Sequence, residues 1–138
     1  MKKITILLTF ILAAISVSAQ DDDVQKYEGM IGEFKVTMVY KTLEEFQYTE
    51  VGDSVGYYYY NDRPKTKFTL KLKKYETKEI PDFSSFHLSY HIILDEYTPK
   101  GFKSGTFDGW TQSYNNYAGT FTNSQCKEYD FSIDINWD

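Results

Sequence analysis

The sequence predicts an all-β protein: one antiparallel domain of seven or eight strands, folded as a small barrel or a two-sheet sandwich behind a cleaved N-terminal signal peptide. Three observations point there. Apolar and polar residues alternate repeatedly, as they must in a strand that buries one face. The clearest case closes the chain, where Tyr129, Phe131, Ile133, Ile135 and Trp137 alternate with Asp130, Ser132, Asp134, Asn136 and Asp138. Turn residues separate such runs at short intervals, and past the N-terminal region no long segment shows the three-to-four apolar spacing of a helix. Finally, the chain starts as an export signal starts.

That start, MKKITILLTFILAAISVSA over residues 1–19, sets Lys2 and Lys3 before an apolar run from Ile4 to Ile15 and a small-residue site at Ser16-Val17-Ser18-Ala19. The run is shorter than the ~20 apolar residues that cross a bilayer. Export to the periplasm or the cell exterior is the expectation. Removing 19 of 138 residues leaves 119, enough for one domain with its own core. Without Lys2 and Lys3, 13 Lys+Arg stand against 20 Asp+Glu, a formal charge of −7 that disfavours nucleic acid and anionic membranes as general partners. Cys126 is the single cysteine, so an internal disulfide is excluded and packing must hold the fold.

Residues 20–32, with Asp21-Asp22-Asp23 after Gln20, read as an acidic, weakly patterned lead-in of the kind that tends to disorder, ahead of a domain over 33–138. Phe34, Val36, Met38 and Tyr40 then mark a strand. Thr42-x-x-Glu45 resembles a capping box, but Phe46, Tyr48, Thr49 and Val51 favour a further strand there. Gly56 to Lys74 reads as a hairpin, with four consecutive tyrosines, turn residues Asn61-Asp62-Arg63-Pro64, and a second strand placing Phe68, Leu70 and Leu72 on one face. Lys65, Lys67, Thr69, Lys71 and Lys73 take the other. Tyr75 to Ser85 is expected to be a polar connection, because Pro81 is unsuited to a central strand. A strand over Phe86–Leu94 follows, with Leu88, Tyr90, Ile92 and Leu94 on its apolar side, then a turn from Asp95 to Lys100. Gly105-Thr106-Phe107 is echoed by Gly119-Thr120-Phe121, two short strands of the same design; Trp110 to Tyr114 reads as a further short strand and Asn115-Asn116 as a turn.

The hairpin supplies the candidate binding surface. Two of its four tyrosines must share the lysine face: Tyr57 and Tyr59 if the loop is Asn61 to Lys65, Tyr58 and Tyr60 if it is Asn61 to Pro64. Tyr57, Tyr59, Lys67, Lys71 and Lys73 are therefore the candidate contacts for a protein or glycan partner, tyrosine giving rigid contact area and lysine steering. Trp110 joins them as a candidate for a sugar groove or barrel mouth. The competing reading is a lysine-guarded edge strand. His87 and His91 lie about 13 Å apart if both are on one strand, too far to share an ion, so no metal and no cofactor is expected. Asp95 and Glu96 point apart on an extended chain and read as solvated turn carboxylates. No nucleophile elbow, phosphate loop or Cys/His pair is present, and an enzyme is not expected.

With Val55-Gly56-Tyr57-Tyr58-Tyr59-Tyr60, the later Gly-x-Phe strands and the alternating final strand, the chain resembles a loose group of small exported bacterial β proteins of uncharacterised function; its Ser-Ala-Gln signal end is similar to those of exported Bacteroidetes proteins. The Gly-Trp and Gly-Thr-Phe pieces also resemble strands of lipocalin-like and avidin-like barrels. Neither resemblance implies an activity. The expected function is that of an exported, non-enzymatic domain binding a macromolecule or glycan through the Tyr/Lys face. The alternatives are a closed barrel around a small apolar ligand, with a cavity lined by aromatics, and a small outer-membrane barrel, which needs outward apolar bands.

Overall fold

The structure, a computed structural model, describes residues 24–41, 46, 48–81, 86–112 and 116–135. The expected signal peptide, the Thr42-x-x-Glu45 box, Tyr114, Asn115 and Trp137 lie outside them. Eight strands follow in order: β1 (Val24–Ile31), β2 (Phe34–Lys41), β3 (Ser54–Tyr60), β4 (Phe68–Pro81), β5 (Phe86–Tyr97), β6 (Lys103–Gln112), β7 (Asn116–Asn123) and β8 (Glu128–Ile135). Each pairs antiparallel with the next, and β1 pairs with β8, which closes a barrel. A sandwich is thereby excluded, and every strand has two neighbours.

Closure corrects several expectations. Val24 to Ile31 is no lead-in: it is the strand that joins the two ends of the sheet, paired with β2 on one side and β8 on the other. Phe46 and Tyr48 belong to a short 3₁₀ turn in the β2–β3 connection, and Phe46 is buried against Tyr40 with ring centroids 5.5 Å apart. Its ring joins the core cluster instead of extending the sheet. Pro81 ends β4 but is still paired, opposite Phe86, so most of the supposed connection is strand. Asn116 opens β7 and is not a turn residue.

Residues directly opposite across an antiparallel pair face the same side, so the register builds one continuous inner wall. Met38, Tyr58 and Phe68 run across β2 to β4, and Leu94, Phe107, Phe121 and Tyr129 across β5 to β8. The two Gly-Thr-Phe pieces thus set Phe107 and Phe121 side by side, 4.6 Å between centroids. Gly109 faces Gly119 on the same wall. A Cβ on Gly109 would stand 2.7 Å from the Phe131 ring and 2.9 Å from that of Tyr117, so the missing side chain is where those rings fit. Tyr117 crosses the interior and donates its hydroxyl to the Ile92 carbonyl at 2.8 Å. Eight strands enclose about as much space as side chains fill.

The outer face of β8 is polar. Phe131 and Ile133 are buried while Glu128, Asp130, Ser132 and Asp134 are exposed. This is the reverse of a lipid-facing strand, which turns its apolar residues outward. Bulges keep the pattern intact where the sequence breaks it. Lys73 is the extra residue between Leu72 and Lys74, and the phase shift it introduces keeps both lysines off the inner wall and lets Tyr75 pair with Ile92.

Candidate functional site

Four hairpin turns, β1–β2, β3–β4, β5–β6 and β7–β8, lie at one end of the barrel. Among the strand ends they join is a cavity of about 210 Å³, lined by aromatic rings from Phe34, Tyr58, Tyr60, Phe68, Phe121 and Tyr129, with Ile31, Asn123, Arg63 and Glu96 completing it. The rings brace one another: Tyr58 stacks on Phe68 at 5.2 Å, and Tyr60 meets Phe34, Tyr58 and Phe68 edge-on at 6.1, 5.8 and 6.2 Å. Such offset and edge contacts are the geometry aromatic quadrupoles prefer.

Glu96 was expected in a solvated turn; it sits instead in the barrel, 4 % exposed. β5 continues to Tyr97, so the alternation of Tyr90, Ile92 and Leu94 carries one step further and turns Glu96 inward, opposite Leu70 on β4 and Gly105 on β6. Asp95 turns outward to a 3.3 Å ion pair with Lys103. The two carboxylates do point apart, but into opposite environments.

Neutral hydroxyls hold Glu96. Tyr58 donates to Oε2, and Ser104 donates to Oε1 at 2.6 Å. Ser104 is the extra residue of a bulge, since Glu96 pairs with Gly105 and Tyr97 with Lys103, and bulges re-aim side chains. Burial pushes the Glu96 carboxyl above its ordinary value of 4.5, with the Ser104 and Tyr58 hydrogen bonds working against the rise. Burial likewise pushes the Tyr58 phenol far above 10.0, and the neighbouring Glu96 charge adds to it. Tyr60 moves in the same direction, again chiefly through burial.

Arg63 stands at the rim, its guanidinium 5.3 Å from the Tyr60 ring centroid and its Nε 3.8 Å from Asp62, both side chains well exposed. The turn that carries it is tied to β2: Asn61 donates its backbone N–H to the Lys35 carbonyl at 3.0 Å, and the Thr37 hydroxyl donates to Asn61 Oδ1 at 2.7 Å.

The residues anticipated from sequence lie elsewhere. Tyr57 pairs with Thr69 and Tyr58 with Phe68, so Tyr57 and Tyr59 take the outer wall with Lys67 and Lys71, as the longer loop required. Lys67 sits over Tyr57 at 5.3 Å and Lys71 over Tyr97 at 4.5 Å. Lys73 occupies its bulge, exposed. β4 is flanked by β3 and β5, so the guarded-edge reading falls with the absence of an edge. Trp110 lines no mouth. It stacks on the outer wall against His91, 4.5 Å between centroids and 6° between planes, while His91 Nε2 meets Asp108 Oδ1 at 2.6 Å. β5 lies between Trp110 and β4, and Trp110 stands level with His91 and Glu76, several residues along the strand from Lys71, so the six candidates do not form one surface. Among the described residues no group of three or more metal-ligating side chains occurs.

No family model, curated protein or solved structure matches the chain.

Proposed function

We infer that this protein binds one small molecule in the mouth of its barrel. The observation that carries the reading is a cavity at the barrel mouth, walled by aromatic rings and floored by a buried carboxyl: an apolar pocket with few convergent polar groups is the usual form of a ligand site. Its volume lies below the roughly 300–1,000 Å³ of drug-sized sites, which suits a compact occupant. The outer Tyr/Lys face supports a macromolecular partner less well, because Lys67 and Lys71 are already engaged by tyrosine rings and Trp110 stands apart. The polar outer face of β8 likewise speaks against the outer-membrane alternative.

Titration with small neutral aromatics that carry one hydrogen-bond donor, benzyl alcohol and indole, followed by amide chemical shifts tests the reading. One-to-one binding is expected, with shifts centred on Tyr58, Tyr60, Phe68 and Phe121. Shifts confined to the outer wall around Tyr57, Tyr59 and Trp110, or none up to probe solubility, would refute it.

A further inference from the structure

The cavity also carries information about the charge of its occupant. Among the described buried residues Glu96 is the only one with an ionisable carboxyl or a basic group; the other buried polar residues are Thr37, Ser89 and Thr111. Its hydrogen-bond partners, Tyr58 and Ser104, are neutral, and among the described residues no Lys, Arg or His is ion-paired with it. A carboxylate offers about four lone-pair sites, and these two hydroxyls leave acceptor capacity on both oxygens. A buried charge is normally paired. Here the chain supplies the cavity in place of the counter-charge.

The walls suit the same partner. Ring faces attract cations, most strongly where water is excluded, and six of the ten lining residues are aromatic. Arg63, the one basic lining residue, is held at the rim by Asp62 and the Tyr60 ring and is exposed, so it meets an occupant's outer end and leaves the floor to Glu96. An anion reaching the floor would confront the carboxylate, and a wholly apolar occupant would strip its remaining water without replacing the lost hydrogen bonds.

We propose that the mouth cavity takes a small organic cation, an ammonium group on an apolar or aromatic body, with the ammonium against Glu96 and enclosed by the rings of Tyr58, Tyr60 and Phe68. This rests on the ligand-binding reading above and narrows it from any compact apolar molecule to a cationic one. The titratable and charged groups sharing the cavity with Glu96 are Tyr58 and Tyr60 on β3, Arg63 in the β3–β4 turn and Tyr129 on β8, while Leu70 and Gly105 opposite it carry no charge. The carboxyl is therefore the group that titrates in the acid range.

Calorimetric titration with benzylammonium, benzyl alcohol and benzoate, each located by amide shifts, decides the matter. Benzylammonium is expected to bind about tenfold or more tighter than benzyl alcohol, and benzoate weakest. Glu96→Gln should bring benzylammonium down to the affinity of the alcohol and leave the alcohol in place. Acidifying the wild-type protein should do the same, because benzylammonium keeps its charge in acid while Glu96 loses its own; this arm holds even if the variant fails to fold. Equal affinity of ammonium and alcohol, both at the mouth, would overturn the cation inference and leave the cavity reading standing. Preference for benzoate would overturn it in favour of anion capture by Arg63. Absence of all three from the mouth would remove the cavity reading and the inference together.

Discussion

Tyr57, Tyr58, Tyr59 and Tyr60 are identical residues in one unbroken row, yet the barrel wall divides them into two chemistries. Tyr57 and Tyr59 face outward among lysines, where Lys67 rests over one ring in contact with solvent. Tyr58 is fully buried, stacked on Phe68, set edge-on to Phe107 at 5.3 Å, and donating to Glu96; Tyr60 joins it on the cavity wall. The difference lies in the pleat alone. A period of two assigns neighbours to opposite media, so residue type says little here until the phase of the strand is known.

Removing rings from the two sides should break the symmetry most sharply. Tyr58→Ala empties a packed site and is expected to cost about 3–5 kcal/mol, the range for large aromatics in cores, whereas Tyr59→Ala should stay within about 1 kcal/mol. Urea midpoints at constant slope measure both, and comparable losses would mean that the wall does not separate the pair as described. Next in size is the same contrast on β6. Gly109→Ala drives a methyl toward Phe131 and Tyr117 and should cost about 1–3 kcal/mol; its neighbour Trp110→Ala gives up an outer stack on His91 and should cost about 1 kcal/mol. Thermal melts of the two variants would invert this order if Gly109 had room to spare.

The inner wall should also be the side on which pH acts through Glu96. Its carboxyl lies above 4.5 in the folded state, so the native protein holds a proton that the unfolded chain has already released. Stability contributed by this group is therefore complete below about 4.5 and declines as pH rises through the elevated folded value. In Glu96→Gln this component of the slope should vanish, so the wild-type stability should fall relative to the variant as pH rises across that window, read as the difference between their urea midpoints. A constant difference would show that Glu96 titrates as it does in the unfolded chain. The smallest effect belongs outside: Lys67→Ala and Lys71→Ala should each cost about 0.5–1 kcal/mol, the scale of exposed cation–π contacts, and should leave binding at the mouth unchanged. A loss of mouth binding in either would join the two walls into one site.

Much of the architecture was legible because local pattern carried it. The alternation in β2, β4, β5 and β8 placed Met38, Leu70, Ile92 and Ile133 inward, and the repeated Gly-Thr-Phe placed Phe107 and Phe121 on matching phases. Legibility failed where phase changed or an element ran past its apparent end. The Lys73 bulge shifted the second half of β4, so a genuine strand looked like a polar connection. Glu96 was missed for a related reason: one further step in the Tyr90-Ile92-Leu94 series would have put it inside, but a carboxylate ahead of Tyr97-Thr98-Pro99 reads locally as a turn residue. Ser104 had no signal of its own, since only the pairing of β5 with β6 makes it a bulge residue aimed at Glu96.

By itself the sequence determined which residues alternate, and hence the β class and the composition of the two faces, because a strand's side-chain period is a property of the backbone alone. Only the tertiary structure decided that the sheet closes, that β1 is its seam, and that Glu96, Tyr58, Tyr60 and Arg63 meet at one mouth. Closure and register join residues far apart along the chain, Tyr58 and Glu96 among them, and no local pattern encodes which strand will stand opposite which.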